Sequence, residues 1–159
     1  MESLLPTIIL RHKRENLKKC SLRGLETRSD IHFLTYPCHT LPDTEHYLLL
    51  GMEGQELSYN DAHMGIFLID ATWRYAQNMI GHKGLKYPRI IRRLPSCFVT
   101  AYPRRQDDCP DPAKGLASIE ALYLSYLILG KDTTALLDHY YWKEDFLKKN
   151  QEALLSFSH

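Results

Sequence analysis

The sequence predicts a single α/β domain, residues 1–159, built on a mainly parallel sheet. Three observations carry that prediction. Short apolar runs of strand character alternate with segments of helical periodicity. No Pro-, Gly- or Ser-rich linker and no internal repeat divides the chain. The apolar run Gly65–Ile69 passes at Asp70-Ala71-Thr72-Trp73 directly into a helical pattern, Trp73–Ile80. A buried strand turning into a helix puts a carboxylate and an indole at the strand's C-terminal end, where ligands bind in open α/β sheets, beside the unpaired N–H groups of a helix N-terminus.

In chain order, Leu5–His12 reads as a strand with Pro6 near its start. Arg14–Glu26 reads as a loop and a short helix, and Asp30–Tyr36 as a strand stopped by Pro37. Tyr47–Leu50 is a short strand before the turn Gly51-Met52-Glu53-Gly54. Leu57–Ala62 is a cap with one helical turn, followed by the Gly65–Ile69 strand and a helix from about Thr72. Cys97–Tyr102 reads as an apolar strand ending at Pro103, and Arg104–Lys114 as a polar loop. Ser118 is expected to cap a helix whose Ile119, Leu122, Tyr123, Tyr126 and Leu129 form an apolar face closed by Gly130. Thr133–Trp142 and Glu144–Phe157 read as further helical segments.

With 44% hydrophobic and 25% charged residues, a chain of this length buries a full core without staples. No segment reaches membrane-spanning length, and no long apolar run with a cleavage site opens the chain. The expectation is a cytoplasmic protein with no membrane contact, a monomer with reduced thiols. Cys20, Cys38, Cys97 and Cys109 form no C-x-x-C, and His12, Cys20, Cys38 and His39 match no zinc spacing, so no metal is expected.

The net charge of +1 conceals a segregation. Arg11–Arg23 holds six basic residues and one acid, Lys83–Arg105 holds seven and none, and the remainder holds seven basic against eighteen acidic residues. A single basic cluster is usually a solvated face. Two against an acidic remainder describe a positive surface for a polyanion, RNA or DNA, with salt-dependent phosphate contacts. Lys18, Lys19 and Arg23 are the cations expected to bind RNA.

Asp70 reads equally as a helix N-cap and as a group facing a ligand, and a cap at a strand's C-terminal edge can be both. Trp73 with Ala76 and Ile80 fits a core stripe, although a Trp in the first turn also stands where a pocket wall would be. Ser118 is a cap whose hydroxyl and following N–H groups could hold a carboxylate. None of His12, His32, His39, His46, His63, His82 and His139 shows partner spacing above a structural or solvated role. The phosphate-cradling and serine-hydrolase motifs are absent, which leaves room for a ligand of adenosine and an amino acid without phosphates.

Five segments stand in order along the chain: His12-Lys13 with Lys18-Lys19-Cys20-Ser21-x-Arg23, then Ile69-Asp70-Ala71-Thr72-Trp73, then Arg93-Leu94-Pro95 with Thr100-Ala101-Tyr102-Pro103, then Leu116–Leu122, and Tyr141–Leu147 with Asn150. Together they resemble the small-subunit rRNA aminocarboxypropyltransferase family of the DTW-domain superfamily. The chain departs from the family's pattern at Ala71, at Tyr102 in place of Asn, and at Lys114 in place of an aromatic. It lacks the N-terminal cysteine cluster of the related tRNA uridine enzymes.

The resemblance implies a SPOUT-like fold with a knotted C-terminal part that binds S-adenosylmethionine. The implied activity is that of an RNA aminocarboxypropyltransferase. N3 of a uridine- or pseudouridine-type base attacks the methionine γ-carbon, methylthioadenosine leaves, and the 3-amino-3-carboxypropyl group is transferred to small-subunit rRNA or a pre-ribosomal particle during ribosome biogenesis. Carried over by position, cofactor contacts fall at Ser21, Ile69, Leu94, Lys114 and Ser118, with Trp73 and Ala76 against the methionine part. Asp70 is the candidate to accept the N3 proton or to stabilise the sulfonium. The competing readings are a SPOUT-type RNA methyltransferase, a tRNA uridine aminocarboxypropyltransferase and a non-catalytic RNA-binding assembly factor.

Overall fold

The computed structural model describes residues 5–14, 20–71, 73–82, 84–103 and 115–157, and of Trp73 and Arg74 the backbone alone. Strands that are apolar along nearly their whole length belong in a sheet covered on both faces. The first strand meets that description: β1 (Thr7–His12) is buried from Thr7 through Arg11. It is joined by β2 (Ile31–Tyr36), β3 (Tyr47–Gly51), β4 (Gln55–Glu56), β5 (Gly65–Asp70) and β6 (Ile90–Arg93) in one sheet of order β2-β1-β5-β3-β6-β4. Every pairing among the described strands is parallel, as the α/β prediction requires.

Alternation along the strands divides the core in two. On one face Ile9, Ile31, Leu48, Leu50, Ile66 and Leu68 share a cluster with α2 (Ser118–Leu129) and with Phe146 of α3 (Lys143–Lys149), beyond which lies α4 (Gln151–Ser156). On the other, Ile8, Leu10, Tyr47, Leu49 and Phe67 pack with Met79 of α1 (Trp73–Ile80). Met79, fully buried, anchors α1, whereas Ile80 is 47% exposed and lies outside the stripe the sequence suggested. Gly65 is required where β5 begins, because a Cβ there would meet the Tyr47 ring at 2.6 Å.

Several expected boundaries are corrected. Cys97–Tyr102 is not a strand; the sheet instead takes Ile90–Arg93, whose paired arginines hid it from an apolar-run reading. The 97–102 backbone is satisfied by side chains. Val99 N–H donates to Asn150 Oδ1 at 2.8 Å, Asn150 Nδ2 donates to the Val99 carbonyl at 2.9 Å, and Ala101 N–H donates to Glu120 Oε2 at 2.9 Å.

Residues 20–28 run as turns closed by i→i+3 bonds, so the described part of the 14–26 segment holds no helix; residues 15–19 of that expectation lie outside the described residues. Thr133–Trp142 is likewise turns, with Ala135 in the left-handed region at φ 64°. The last segment is two helices broken at Asn150, the residue whose side chain is committed to Val99. Ser118 is the first helical residue of α2, not its cap; Ala117 takes that position and Gly130 closes the helix at φ 74° as expected. No described helix is long and apolar enough to cross a membrane.

Candidate active site

The strand order contains a reversal. From β1 the chain moves outward to β2, while from β5 it continues beyond β3 to β6, so the carboxyl ends of β1 and β5 flank a topological switch point. Arg11, near the end of β1, and Asp70, at the end of β5, are registered partners across that junction. Arg11 Nε donates to Asp70 Oδ2 at 3.0 Å, with only 9% of Arg11 and 3% of Asp70 exposed.

Two further donors converge on the same carboxylate. The Cys20 thiol reaches Oδ2 at 3.2 Å, and the Ser118 hydroxyl reaches Oδ1 at 3.0 Å. Cys20 Sγ in turn accepts from Leu22 N–H at 3.4 Å and lies 3.6 Å from Arg11 Nη2. The adjacent Ser21 Oγ accepts from Ile119 N–H at 3.2 Å, fastening the 20–22 turn to the first turn of α2.

The electrostatics follow from burial and this pairing. Burial alone would lower the Arg11 pKa; the hydrogen bond to Asp70, with the nearby Cys20, Asp70 and Glu26, outweighs it and the pKa is raised. Glu26 lies 3.6 Å from Arg11 Nη1, and the Phe33 ring lies under the guanidinium at 4.4 Å. Burial first, and then the Asp70 charge, push the Cys20 thiol up to about 12, so it stays protonated and able to donate. The hydroxyl expected to cap α2 is spent on Asp70 instead, and a carboxylate held by an arginine, a thiol and a hydroxyl is more than a helix cap.

A second buried carboxylate, Glu120, supports this edge from below. It is fully buried and accepts from Thr100 Oγ1 at 2.6 Å, Ala117 N–H at 2.7 Å, Tyr140 OH at 2.8 Å and Ala101 N–H at 2.9 Å. Glu120 thereby joins the start of α2 to the 100–101 segment that the sequence suggested was a strand.

The structure brings three sequence-predicted site residues, Asp70, Ser118 and Ser21, into one network. Ile69 is half-buried and packs with the opposite core face. Leu94 follows β6 at the same sheet edge and packs against the core cluster below α2. Ala76 is half-buried on α1. Trp73 opens α1, its side chain outside the described set, and Arg23 is exposed on the turn after Cys20. Lys18, Lys19 and Lys114 lie outside the described residues.

Sequence reading missed Arg11, Cys20 and Glu120 as site residues. A charge at the end of an otherwise apolar strand and a carboxylate among the apolar residues of α2 were the available signals. A cavity of about 450 Å³, lined by Leu5, Pro6, Ile8, His32, Asp43 and Tyr47 among others, lies at the opposite, N-terminal edge of the sheet and contains none of these groups.

No family model matches the sequence, and no curated protein matches it. Among solved structures, the chain is similar to that of the SAM-dependent rRNA:acp-transferase Tsr3 from Vulcanisaeta distributa, with a TM-score of 0.69 and 20% identity. The match covers 97% of this chain and 83% of that one. The likeness is one of fold.

Proposed function

We propose that this chain is an S-adenosylmethionine-dependent RNA aminocarboxypropyltransferase, a single SPOUT-like domain acting in the cytoplasm. Its target on this reading is N3 of a uridine-type base in small-subunit rRNA. The observation that carries the reading is a convergence. Cys20-Ser21, Asp70 and Ser118-Ile119 belong to three of the separate segments that resemble the aminocarboxypropyltransferases, and they meet through direct hydrogen bonds at one sheet edge. The shared fold with an SAM-dependent rRNA:acp-transferase supports the same reading.

The donor set fits the cofactor's chemistry. With the Ser118 hydroxyl held by Asp70, it is the Ser21 O–H that stands ready to donate at the N-terminus of the twelve-residue α2, whose positive end suits a carboxylate. Leu94, on the α2 side of the sheet, supplies apolar surface for an adenosine, and Ile69, whose side chain packs on the opposite face, would meet it through its backbone. When bound, S-adenosylmethionine supplies a carbon made electrophilic by the neighbouring sulfonium.

The chain's own residues hold the edge in shape. Asp70 keeps the Ser118 hydroxyl and the Cys20 turn oriented, and Glu120 fixes the start of α2 against 100–101. With Oδ2 held by Arg11 and Cys20 and Oδ1 by Ser118, the network favours Asp70 as the organiser of this edge over Asp70 as the base that takes the N3 proton.

The test is transfer to small-subunit rRNA from S-adenosylmethionine labelled separately in its methyl and carboxyl carbons. Label arriving from the carboxyl carbon alone supports the proposal. Label from the methyl carbon identifies a methyltransferase, and no label from either leaves a binding protein; each of those results overturns it.

A further inference from the structure

On the other face of the same sheet edge stands a group of rings that the catalytic proposal does not use. His12, the last residue of β1, stacks on Tyr75 of α1 with centroids 4.2 Å apart and planes 7° from parallel. Tyr36, registered beside His12 at the end of β2, tilts against it at 5.6 Å. Tyr36 meets His82 edge-on at 5.9 Å, with its hydroxyl 3.4 Å from His82 Nδ1. His12, Tyr36 and Tyr75 are half-buried and His82 is exposed, so the group reaches the surface instead of closing into the core.

His12 Nδ1 accepts the Arg14 backbone N–H at 3.1 Å, which assigns the ring's proton to Nε2 and keeps the imidazole neutral. Lys13 and Arg14, immediately beyond, are exposed. They are close enough that, after burial itself, their charges depress the His12 pKa.

Neutral planar rings flanked by cations match single-stranded nucleic acid, whose bases stack while its phosphates pair with Lys and Arg. A peptide partner would account for the rings but not for the two exposed cations, Lys13 and Arg14, that directly follow His12. Resting on the RNA-modifying reading above, we infer that the His12–Tyr75–Tyr36 cluster is a stacking platform for an unpaired RNA base next to the modified nucleotide. Lys13 and Arg14 hold the phosphates of that strand. The neighbouring residues Arg11 and His12 point to opposite faces, so the modification site and the platform share one edge and one strand of RNA can reach both.

The experiment titrates the full chain, without cofactor, into a short single-stranded RNA carrying one 2-aminopurine, whose fluorescence is quenched by stacking. Wild type is expected to bind and quench. Tyr75→Leu, which keeps helix propensity and apolar bulk, and His12→Ala are each expected to weaken binding about tenfold and to remove the quench, while Tyr75→Phe restores both. Lys13→Ala with Arg14→Ala should weaken binding and flatten its salt dependence while the quench remains.

The inference is overturned if wild type binds without quenching, prefers duplex RNA, or fails to bind. It is overturned equally if Tyr75→Leu and His12→Ala, folded by circular dichroism, bind as wild type does. Carboxyl-carbon transfer with an indifferent platform removes this inference alone. Platform-dependent RNA binding without transfer removes only the enzymatic reading.

Discussion

Replacing Asp70 with Asn tests what holds the candidate site together. The substitution is nearly isosteric, and its hydrogen bonds can be largely rebuilt: the amide oxygen can face Arg11 and Cys20, and the amide N–H can donate to Ser118 Oγ. What cannot be rebuilt is the charge. The Arg11 side chain is 11% exposed and would be left with Glu26, half-exposed at 3.6 Å, and the Phe33 face. Breaking a buried pair by removing one partner costs about 3–5 kcal/mol, and those residual partners bring the expectation to the lower end. For a domain of this size that is a fall in melting temperature of about 6–12 °C.

A helix-capping aspartate behaves differently, because Asn and Asp rank alike as caps and the loss would be small. The cycle is completed by Arg11→Met, which removes the charge that Asp70→Asn strands. Urea unfolding of wild type, both single variants and the double variant should give a coupling energy of about 2 kcal/mol or more, with the double variant more stable than additivity allows. Additive losses within about 0.5 kcal/mol, or an Asp70→Asn protein melting with wild type, would refute the buried ion pair as the organiser of this edge.

Glu120→Ala leaves the Thr100 and Tyr140 hydroxyls and two backbone N–H groups without their acceptor in a fully buried position. It should destabilise by about 3 kcal/mol or more, and hydrogen exchange should show Ala101 and Ala117 among the amides losing protection. Cys20, with its thiol raised to about 12, should resist iodoacetamide at pH 8 while exposed Cys97 reacts, as peptide mass spectrometry would read. Because the folded-state pKa lies above the unfolded value, the Cys20 contribution is present below about pH 9 and lost as pH rises toward 12. The alkaline fall in stability should therefore be shallower in Cys20→Ala.

Local pattern was enough to establish the α/β class, the strands expected at 5–12, 30–36, 47–50 and 65–69, the helix following Asp70 and the stop at Gly130. Each of these is marked by a continuous apolar run, a helical period or a glycine, signals that a few neighbouring residues carry by themselves. Asp70 and Ser118 were visible as candidates for the same reason, since they sit at element ends, whereas Ser21 entered only through the family resemblance. Pairings between distant segments decided the rest. Cys97–Tyr102 has strand composition but lies where Asn150 and Glu120 meet its backbone, while Ile90–Arg93 becomes a strand because β3 and β4 offer it partners on both sides.

Arg11 illustrates the limit best. In the sequence it is one cation among six in a basic stretch; in the fold, the register of β1 on β5 sets it beside Asp70 and burial makes that pair matter. His12 changes meaning in the same way, from a histidine without partner spacing to one ring of a stack built by β1, β2 and α1. Register and burial are properties of segments some sixty residues apart in contact, and no local pattern carries them.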